Sequence, residues 1–366
     1  MKFTTQRENL LRPLQLVSGV VERKQTLPIL SNVLLSLDEG VLTFTATDLE
    51  TEIVVRAAVD QDLGGKTTVP VRKFQDTCRA LPEEASLSFE LTDSKAQIRS
   101  GKTRFSLTTL PANEFPLIEA RLNQSSFRIP QRVLKHIIDK TAFAMATQDV
   151  RYYLNGLLLE TTPERIRAVA TDGHRLAMCT CDMALGMESS QQSIVPRKGV
   201  LELSRLLEDV DDETEVTIGD NFFRVELPEL TFTTKLVEGK YPDYEAVIPR
   251  DGDKIVLADK NELRQCLVRT AILSNEKYRG IRIEIAPGVL VASANNPEQE
   301  EACDEIAVDY QGDKVAIGFN VNYLTDAVNA VSGDTVKIAF TDANGSALIS
   351  SRDSDDCLYV VMPMRL

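Results

Sequence analysis

One feature limits this chain more than any other: it carries the same pattern three times, at the spacing of a whole domain. An apolar run closing on a short polar turn occurs as Leu42-Thr43-Phe44-Thr45-Ala46-Thr47-Asp48-Leu49-Glu50. It returns as Ile166-Arg167-Ala168-Val169-Ala170-Thr171-Asp172-Gly173-His174, and again as Leu290-Val291-Ala292-Ser293-Ala294-Asn295-Asn296-Pro297-Glu298. Asp48, Asp172 and Asn296 are 124 residues apart at each step. Val69-Pro70-Val71-Arg72-Lys73 is echoed by Val195-Pro196-Arg197-Lys198-Gly199 and more faintly by Gly318-Phe319-Asn320-Val321-Asn322. Phe115-Pro116, Tyr241-Pro242 and Met362-Pro363 close the three copies. Short periods of about 20–50 residues would indicate a solenoid. This period instead indicates three like domains of ordinary size. Polar, turn-rich stretches at Asn123–Ser126 and Arg250–Asp253 put the boundaries at 1–124, 125–251 and 252–366.

With 366 residues, 43% of them hydrophobic, three cores can form without disulfides or metals. The six cysteines (Cys78, Cys179, Cys181, Cys266, Cys303, Cys357) have neither C-x-x-C pairing nor histidines at zinc spacing. They read as reduced, buried thiols, with Cys179 and Cys181 on one face of a strand. No metal and no cofactor is expected. The N-terminus has no apolar leader and no stretch approaches a membrane span, so the expectation is a soluble cytoplasmic protein.

Each copy reads as strand, helix, several strands, helix, several strands. The first helices fall at about Gln6–Ser18, from Pro130, and from Asp259. Their apolar faces are Leu10, Leu11, Leu14 and Val17, then Val133, Leu134, Ile137 and Ile138, then Leu263, Cys266, Leu267 and Ile272. The second helices fall at Val71–Leu81, Arg197–Glu208 and Asn320–Val331. Segments such as Ser86–Leu91 and Glu215–Ile218 alternate with the period of half-buried antiparallel strands. The fold class is α+β, three tandem domains, each with two helices on one face of antiparallel sheet.

A net charge of −14 ordinarily argues against a nucleic-acid partner. The charges are segregated, however. Over the six predicted helices Lys and Arg exceed Asp and Glu by six in total, leaving about −20 for strands and loops. Such helices suit sequence-independent, salt-sensitive contact with a phosphate backbone, while the acidic remainder repels DNA elsewhere. A solvated helix face in an acidic protein remains the plain alternative. The sixth helix, with Asp326 and no base, breaks the pattern.

Several long stretches resemble one family over essentially the whole chain, the bacterial beta sliding clamps, processivity subunits of DNA polymerase III. They include Thr26-Leu27-Pro28-Ile29-Leu30, Gly101-Lys102-Thr103-Arg104-Phe105-Ser106-Leu107 and Gln148-Asp149-Val150-Arg151-Tyr152-Tyr153-Leu154-Asn155-Gly156. They continue with Ala170–Leu176, Ala271-Ile272-Leu273-Ser274-Asn275-Glu276-Lys277 and the terminal Tyr359–Leu366. The resemblance implies a head-to-tail homodimeric ring around double-stranded DNA, with helices inside and sheets outside. It also implies a tether for the polymerase catalytic subunit, the clamp loader and other polymerases and repair proteins. Lys24 and Gln148 match positions that touch DNA in the family, with Arg72, Lys73, Arg79, Arg197, Lys198 and Arg205 supplying a diffuse field. Base-specific contacts would oppose sliding and are not expected.

At the ring seam, the basic set Lys73, Lys102 and Arg104 of the first copy would face the acidic run Glu298, Glu300, Glu301, Asp304 and Glu305 of the third. Phe105, Leu107, Ile272 and Leu273 would form its apolar centre. The family's pocket for partner peptides would comprise Leu154, Thr171, Gly173, His174, Arg175, Leu176, Pro242, Val247, Tyr323, Val360, Met362, Pro363 and Met364. Asn320, Ser346 and Arg365 would be its polar anchors. Adaptable Met side chains in an apolar cleft suit weak, exchangeable binding of short motifs. Asp172 and His174 invite a catalytic reading, but neighbours two apart around Gly173 seldom align, and no nucleophile accompanies the two histidines. No enzyme is expected. A three-domain peptide-docking scaffold that never closes on DNA is the alternative. Glu245-Ala246 stands where many members carry a basic pair, and Asn344 where some have Val.

Overall fold

The computed structural model describes residues 1–22, 27–118, 124–250 and 252–365. Lys24, Asn123 and Asp251, which figured in the expected DNA contact and boundaries, lie outside the described residues. The first copy runs β1 (Lys2–Gln6), α1 (Glu8–Val17), β2 (Asn32–Asp38), β3 (Val41–Thr47), β4 (Thr51–Ala58), β5 (Asp60–Leu63), β6 (Gly65–Pro70), α2 (Val71–Arg79), β7 (Ser86–Thr92), β8 (Lys95–Ser100), β9 (Thr103–Thr108). The second runs β10 (Gln124–Pro130), α3 (Gln131–Asp139), β11 (Gly156–Thr162), β12 (Arg165–Thr171), β13 (Arg175–Asp182), β14 (Gln191–Pro196), α4 (Arg197–Leu206), β15 (Glu213–Gly219), β16 (Phe222–Glu226), β17 (Leu230–Lys235). The third runs β18 (Lys254–Asp259), α5 (Lys260–Ala271), β19 (Gly280–Ala286), β20 (Val289–Asn295), β21 (Glu301–Ala307), β22 (Val315–Asn320), α6 (Val321–Ala330), β23 (Thr335–Phe340), β24 (Ala347–Ser351), β25 (Cys357–Val361). This is the expected order of elements, three times over. Pro130 closes β10 instead of opening α3, as Pro70 and Pro196 close β6 and β14. A proline's fixed φ suits an extended residue as readily as a first helical one.

Two compact units make up the described chain, Met1–Gln131 with Leu201–Leu236, and Arg132–Val200 with Val237–Leu366. The first holds a five-stranded sheet, β5-β1-β7-β8-β9, and an eight-stranded sheet, β10-β15-β16-β17-β4-β3-β2-β6. The second holds an eight-stranded sheet, β14-β11-β12-β13-β25-β24-β23-β18, and a four-stranded sheet, β21-β20-β19-β22. All named ladders are antiparallel, for example β4 with β17 and β13 with β25. Sheets therefore run across the copy boundaries. In each eight-stranded sheet, the strand after one copy's polar turn pairs with the last strand of the next copy.

In the first unit, Phe3, Leu10, Leu14, Phe74 and Phe89 are buried, with Phe3 stacked on Phe89 at 4.9 Å between centroids. Each such aromatic contributes about 1.5–3 kcal/mol on leaving water. The expected face of α1 is the observed one: Leu10, Leu11, Leu14 and Val17 point inward. On α5 the inward face is Leu263, Cys266, Leu267 and Thr270; Ile272 lies past the helix end and is 74% exposed.

The repeated Asp or Asn shapes the hairpin turn in all three copies. Asp48 Oδ1 accepts the backbone N–H groups of Glu50 (2.9 Å) and Thr51 (2.6 Å). Asp172 Oδ1 accepts those of His174 (2.9 Å) and Arg175 (3.1 Å). Asn296 Oδ1 accepts that of Glu300 at 2.9 Å, across a turn two residues longer. Short polar side chains satisfy turn donors in this way, which explains their return at each hairpin.

Candidate functional site

The second unit carries a cleft of about 200 Å³ lined by Arg151, Leu154, Thr171, Gly173, Arg175, Leu176, Pro242, Asp243, Tyr244, Val247, Val360 and Met362. Its floor is a core cluster that includes Leu154, Leu158, Val169, Leu176, Met178, Tyr241, Tyr244 and Val360. One wall is the turn between β12 and β13; another is the chain leaving β25. Thr171 N–H donates to Tyr241 Oη at 3.1 Å, and Thr171 Oγ1 donates to the Arg175 carbonyl at 2.6 Å. Met362 N–H donates to the His174 carbonyl at 3.0 Å, and Met364 N–H to that of Gly318 at 2.8 Å.

Leu154, Thr171, Gly173, Arg175, Leu176, Pro242, Val247, Val360 and Met362 of the expected set share this lining. His174, Asn320, Tyr323, Ser346, Pro363, Met364 and Arg365 do not. The His174 ring stacks on Tyr323 at 6.3 Å, outside the cleft. Asn320, expected as an anchor, is spent on structure. Its Oδ1 caps α6 by accepting from Asn322 N–H (2.9 Å), and its Nδ2 donates to the Tyr278 carbonyl (3.2 Å).

Arg175 lines the cleft as expected and also ties its walls together. Its Nε donates to Asp172 Oδ2 (3.1 Å), Nη2 to the Phe143 carbonyl (2.8 Å) and Nη1 to Asp326. The guanidinium lies 4.6 Å from the Tyr323 ring centroid and is 13% exposed. It buttresses the wall with three of its five N–H groups. Asp326, the acid on the unbasic sixth helix, is thereby explained. Asp172 serves the turn and Arg175.

Arg151, Asp243 and Tyr244 also line the cleft and lie outside the expected set. Arg151 grips Asp149 with Nε (3.0 Å) and Nη2 (2.9 Å), and these hydrogen bonds hold the Asp149 carboxyl at about 2. Tyr244 Oη donates to Glu160 and accepts from Arg167 Nη1 at 2.9 Å. Burial, then the Glu160 hydrogen bond, push its phenol up to about 12. Glu245 is reached by Arg167 (3.4 Å) and Arg250 (3.3 Å). Asn344 is exposed, its N–H donating to Asp342 at 2.7 Å.

Of the expected DNA-facing residues in the first unit, Arg72 donates to the Val21 carbonyl (3.2 Å), while Lys73 is exposed. Arg79 pairs with Asp76 at 3.4 Å, and Arg205 with Glu202, which weakens their outward field. In the second unit Gln148 is exposed at φ 58°, Arg197 donates to the Met145 carbonyl (3.1 Å), and Lys198 is half-buried.

For the expected seam, β9 is an outer strand of its sheet, with Lys102 and Arg104 exposed and Phe105 and Leu107 half-buried. In the second unit β21 is likewise an outer strand; Glu298, Glu300 and Glu301 are exposed, Ile272 is exposed and Leu273 half-buried. Asp304 is held by Arg269 at 2.6 Å and is not part of a free acidic run.

The cysteine expectation fails at one pair. Cys179 and Cys357 face each other on β13 and β25 and form a disulfide, with His136 beside them. Cys303 is exposed instead of buried. Antiparallel pairing of distant strands created the cluster, which no local spacing encodes.

Three family models match in series: the DNA polymerase III beta subunit N-terminal domain at residues 1–119, its central domain at 128–243 and its C-terminal domain at 245–365. The chain is 52% identical over 367 residues to the beta sliding clamp of Pseudomonas aeruginosa, covering 100% of both. It is 49% identical over 368 residues to that of Escherichia coli K12, again covering 100% of both. A crystal structure of the DNA polymerase sliding clamp from Pseudomonas aeruginosa with ligand superposes at a TM-score of 0.97, with 51% identity and 100% of each chain covered.

Proposed function

We propose that this chain, which belongs to the DNA polymerase III beta subunit family of bacterial sliding clamps, closes head-to-tail with a second copy around duplex DNA and holds the polymerase there through the cleft at Met362. The family's role is that of a non-catalytic processivity factor. Like the relatives, this chain is three tandem clamp domains; breaks near 124 and 251 are our reading of where they divide.

The observation that carries the ring is a missing third seam. Twice, the strand following a copy's polar turn pairs with the last strand of the next copy: β4 with β17, β13 with β25. The equivalent strand of the third copy is β21 and the last strand of the first is β9, both outer strands of their sheets. A β21 of one copy joined to a β9 of another continues the rule and closes a cyclic assembly. Glu298, Glu300 and Glu301 would then meet Lys73, Lys102 and Arg104, with Phe105, Leu107, Ile272 and Leu273 at the centre. Unlike charges favour this pairing and disfavour like ends.

Topological linkage removes the need for tight contacts, so a diffuse field from Arg72, Lys73, Arg197 and Lys198, with Gln148 and lesser help from Arg79 and Arg205, is enough. The apolar cleft with Arg151 and Asp243 at its polar edge suits short peptides of the polymerase, the clamp loader and repair proteins. The cytoplasm is the compartment of this work; among the described residues no helix is long and apolar enough to cross a membrane.

The test is retention on a nicked DNA circle, before and after linearisation, with clamp loader and ATP. Retention on the circle and loss from free ends is expected. Equal retention on both forms means contact binding and rejects the ring.

A further inference from the structure

We propose that His136, Cys179 and Cys357 form a binding site for a thiophilic cation of the Zn²⁺ class when the cysteine pair is reduced. The three come from α3, β13 and β25, all within the second unit. One ligand atom from each lies within 4.8 Å of the other two. Cys179 and Cys357 are direct cross-strand partners, with Cα atoms 4.1 Å apart, so both sulfurs project from the same face of the sheet.

The spacing suits a tetrahedral ion. Metal–sulfur and metal–nitrogen bonds of about 2.3 and 2.0–2.1 Å place neighbouring ligand atoms roughly 3.5–3.8 Å apart. His136 Nε2 already lies 3.9 Å from Cys357 Sγ. The two sulfurs need to part and the ligand atoms, all within 4.8 Å of one another, to settle to the tetrahedral spacing; reduction lets the sulfurs do so by rotation about their side-chain bonds. Two thiolates and one imidazole select Zn²⁺ or a softer ion over Mg²⁺ or Ca²⁺. His136 is exposed and Cys357 half-buried, which gives a cation a path in, whereas Cys179 is buried and anchors the site. A water can complete the coordination. Cys181, two residues along the same face of β13, is the thiol next in line.

Disulfide and metal are alternatives for the same two sulfurs. With a glutathione disulfide as oxidant, one cysteine thiolate attacks and a glutathione thiolate leaves. The second cysteine thiolate then attacks the mixed disulfide, the cross-strand bond closes, and the second glutathione thiolate departs with release of the cation. Excess thiol reverses both exchanges.

The experiment titrates the reduced, metal-free full-length chain with Co²⁺, reading thiolate-to-cobalt charge transfer, then with Zn²⁺ against a chromophoric chelator. One equivalent with a charge-transfer band is expected. The band should vanish in Cys357→Ser and in chain oxidised by glutathione disulfide, and persist in Cys303→Ser. Zn²⁺ affinity should fall more than about 100-fold in His136→Ala, whose exposed position spares the fold. No band in the reduced chain overturns the site, as does a band surviving Cys357→Ser or lost in Cys303→Ser. Unchanged Zn²⁺ affinity in His136→Ala removes the imidazole from the site and overturns the three-ligand assignment.

Discussion

The backbone N–H of Met362 donates to the carbonyl oxygen of His174 at 3.0 Å, which hangs one wall of the cleft on the turn that forms another. The Met362 side chain is thereby held over the apolar floor while remaining 39% exposed. An exposed side chain contributes little to folding but loses water when a ligand covers it. Met362→Ala should therefore leave the unfolding free energy within about 0.5 kcal/mol of the parent. It should weaken a fluorescent polymerase-derived peptide by about tenfold in polarisation assays, the scale of one apolar anchor. An unchanged affinity would remove Met362 from the binding surface.

Arg175 presents the opposite case. Its guanidinium is 13% exposed and shared among Asp172, Asp326 and the Phe143 carbonyl. Removing it strands two carboxylates and a carbonyl in a half-buried place. Arg175→Ala should lower stability by about 3 kcal/mol in urea titrations, and Arg175→Lys should restore less than half, because a point charge cannot serve three directions. Full stability with lost peptide binding would instead make Arg175 a direct ligand contact.

What the sequence made legible and what it hid follow from the range of the interactions involved. Asp48, Asp172 and Asn296 act within their own turns, so the threefold hairpin could be read from a single line of residues. The inward face of α1 is equally local. Membership of the cleft came through family resemblance, since Leu154, Pro242 and Val360 meet only after distant segments fold together. Asn320 opens the predicted helix Asn320–Val331, whereas in the fold it is the cap that precedes Val321, a one-residue difference that turns a ligand candidate into a helix cap. Tyr244 carries no pattern, and Arg151 lies within the family-like stretch Gln148–Gly156 with no local signal of a place in the cleft. The strand pairings β4 with β17 and β13 with β25 lie between copies, beyond any periodicity. The junction of Cys179 with Cys357 depends on one of those pairings, at a separation of 178 residues.

If β9 and β21 supply the closing seam, an exposed apolar residue there should matter for assembly and not for folding. Ile272 is 74% exposed in the single chain. Ile272→Arg combined with Leu273→Arg should raise the dimer dissociation constant at least about 100-fold in sedimentation velocity, as desolvated central contacts dominate interfaces. Glu301→Lys should weaken the dimer less, and increasingly little as salt is added. Dimers of undiminished strength in the double variant would locate the seam elsewhere.

Tyr244 makes a pH prediction with a definite sign. Its folded-state value is raised from 10 to about 12 by burial and by the hydrogen bond to Glu160. Below pH 10 the phenol is protonated in both states and its contribution is fully present. Between 10 and 12 the unfolded chain releases the proton first, so stability falls as pH rises. Tyr244→Phe should lose its share of this slope, the rest belonging to buried Tyr241 and Tyr359, whose phenols burial also raises, and should lose one late phenolate transition in near-ultraviolet titration. The variant should also be about 1–3 kcal/mol less stable at neutral pH, because Glu160 and Arg167 lose their shared partner. A slope identical in parent and variant would leave it wholly to Tyr241 and Tyr359.

The first two hairpins make opposite predictions for the same kind of substitution. Leu49 in the first turn and Gly173 in the second both sit at positive φ, 79° and 87°. A left-handed conformation costs a residue with a Cβ about 1–2 kcal/mol, which Gly173 avoids and Leu49 bears. A Cβ on Gly173 would also stand 2.9 Å from Arg151 Nη2, pressing on the side chain that grips Asp149. Gly173→Ala should therefore destabilise by about 1–2 kcal/mol and weaken the labelled peptide. Leu49→Gly should not destabilise, and gains up to about 1 kcal/mol, since the relieved strain exceeds the added freedom of the unfolded chain. Paired thermal and urea melts of the two variants decide it: a loss of stability in both would mean that the Leu49 side chain contributes packing that outweighs its backbone strain.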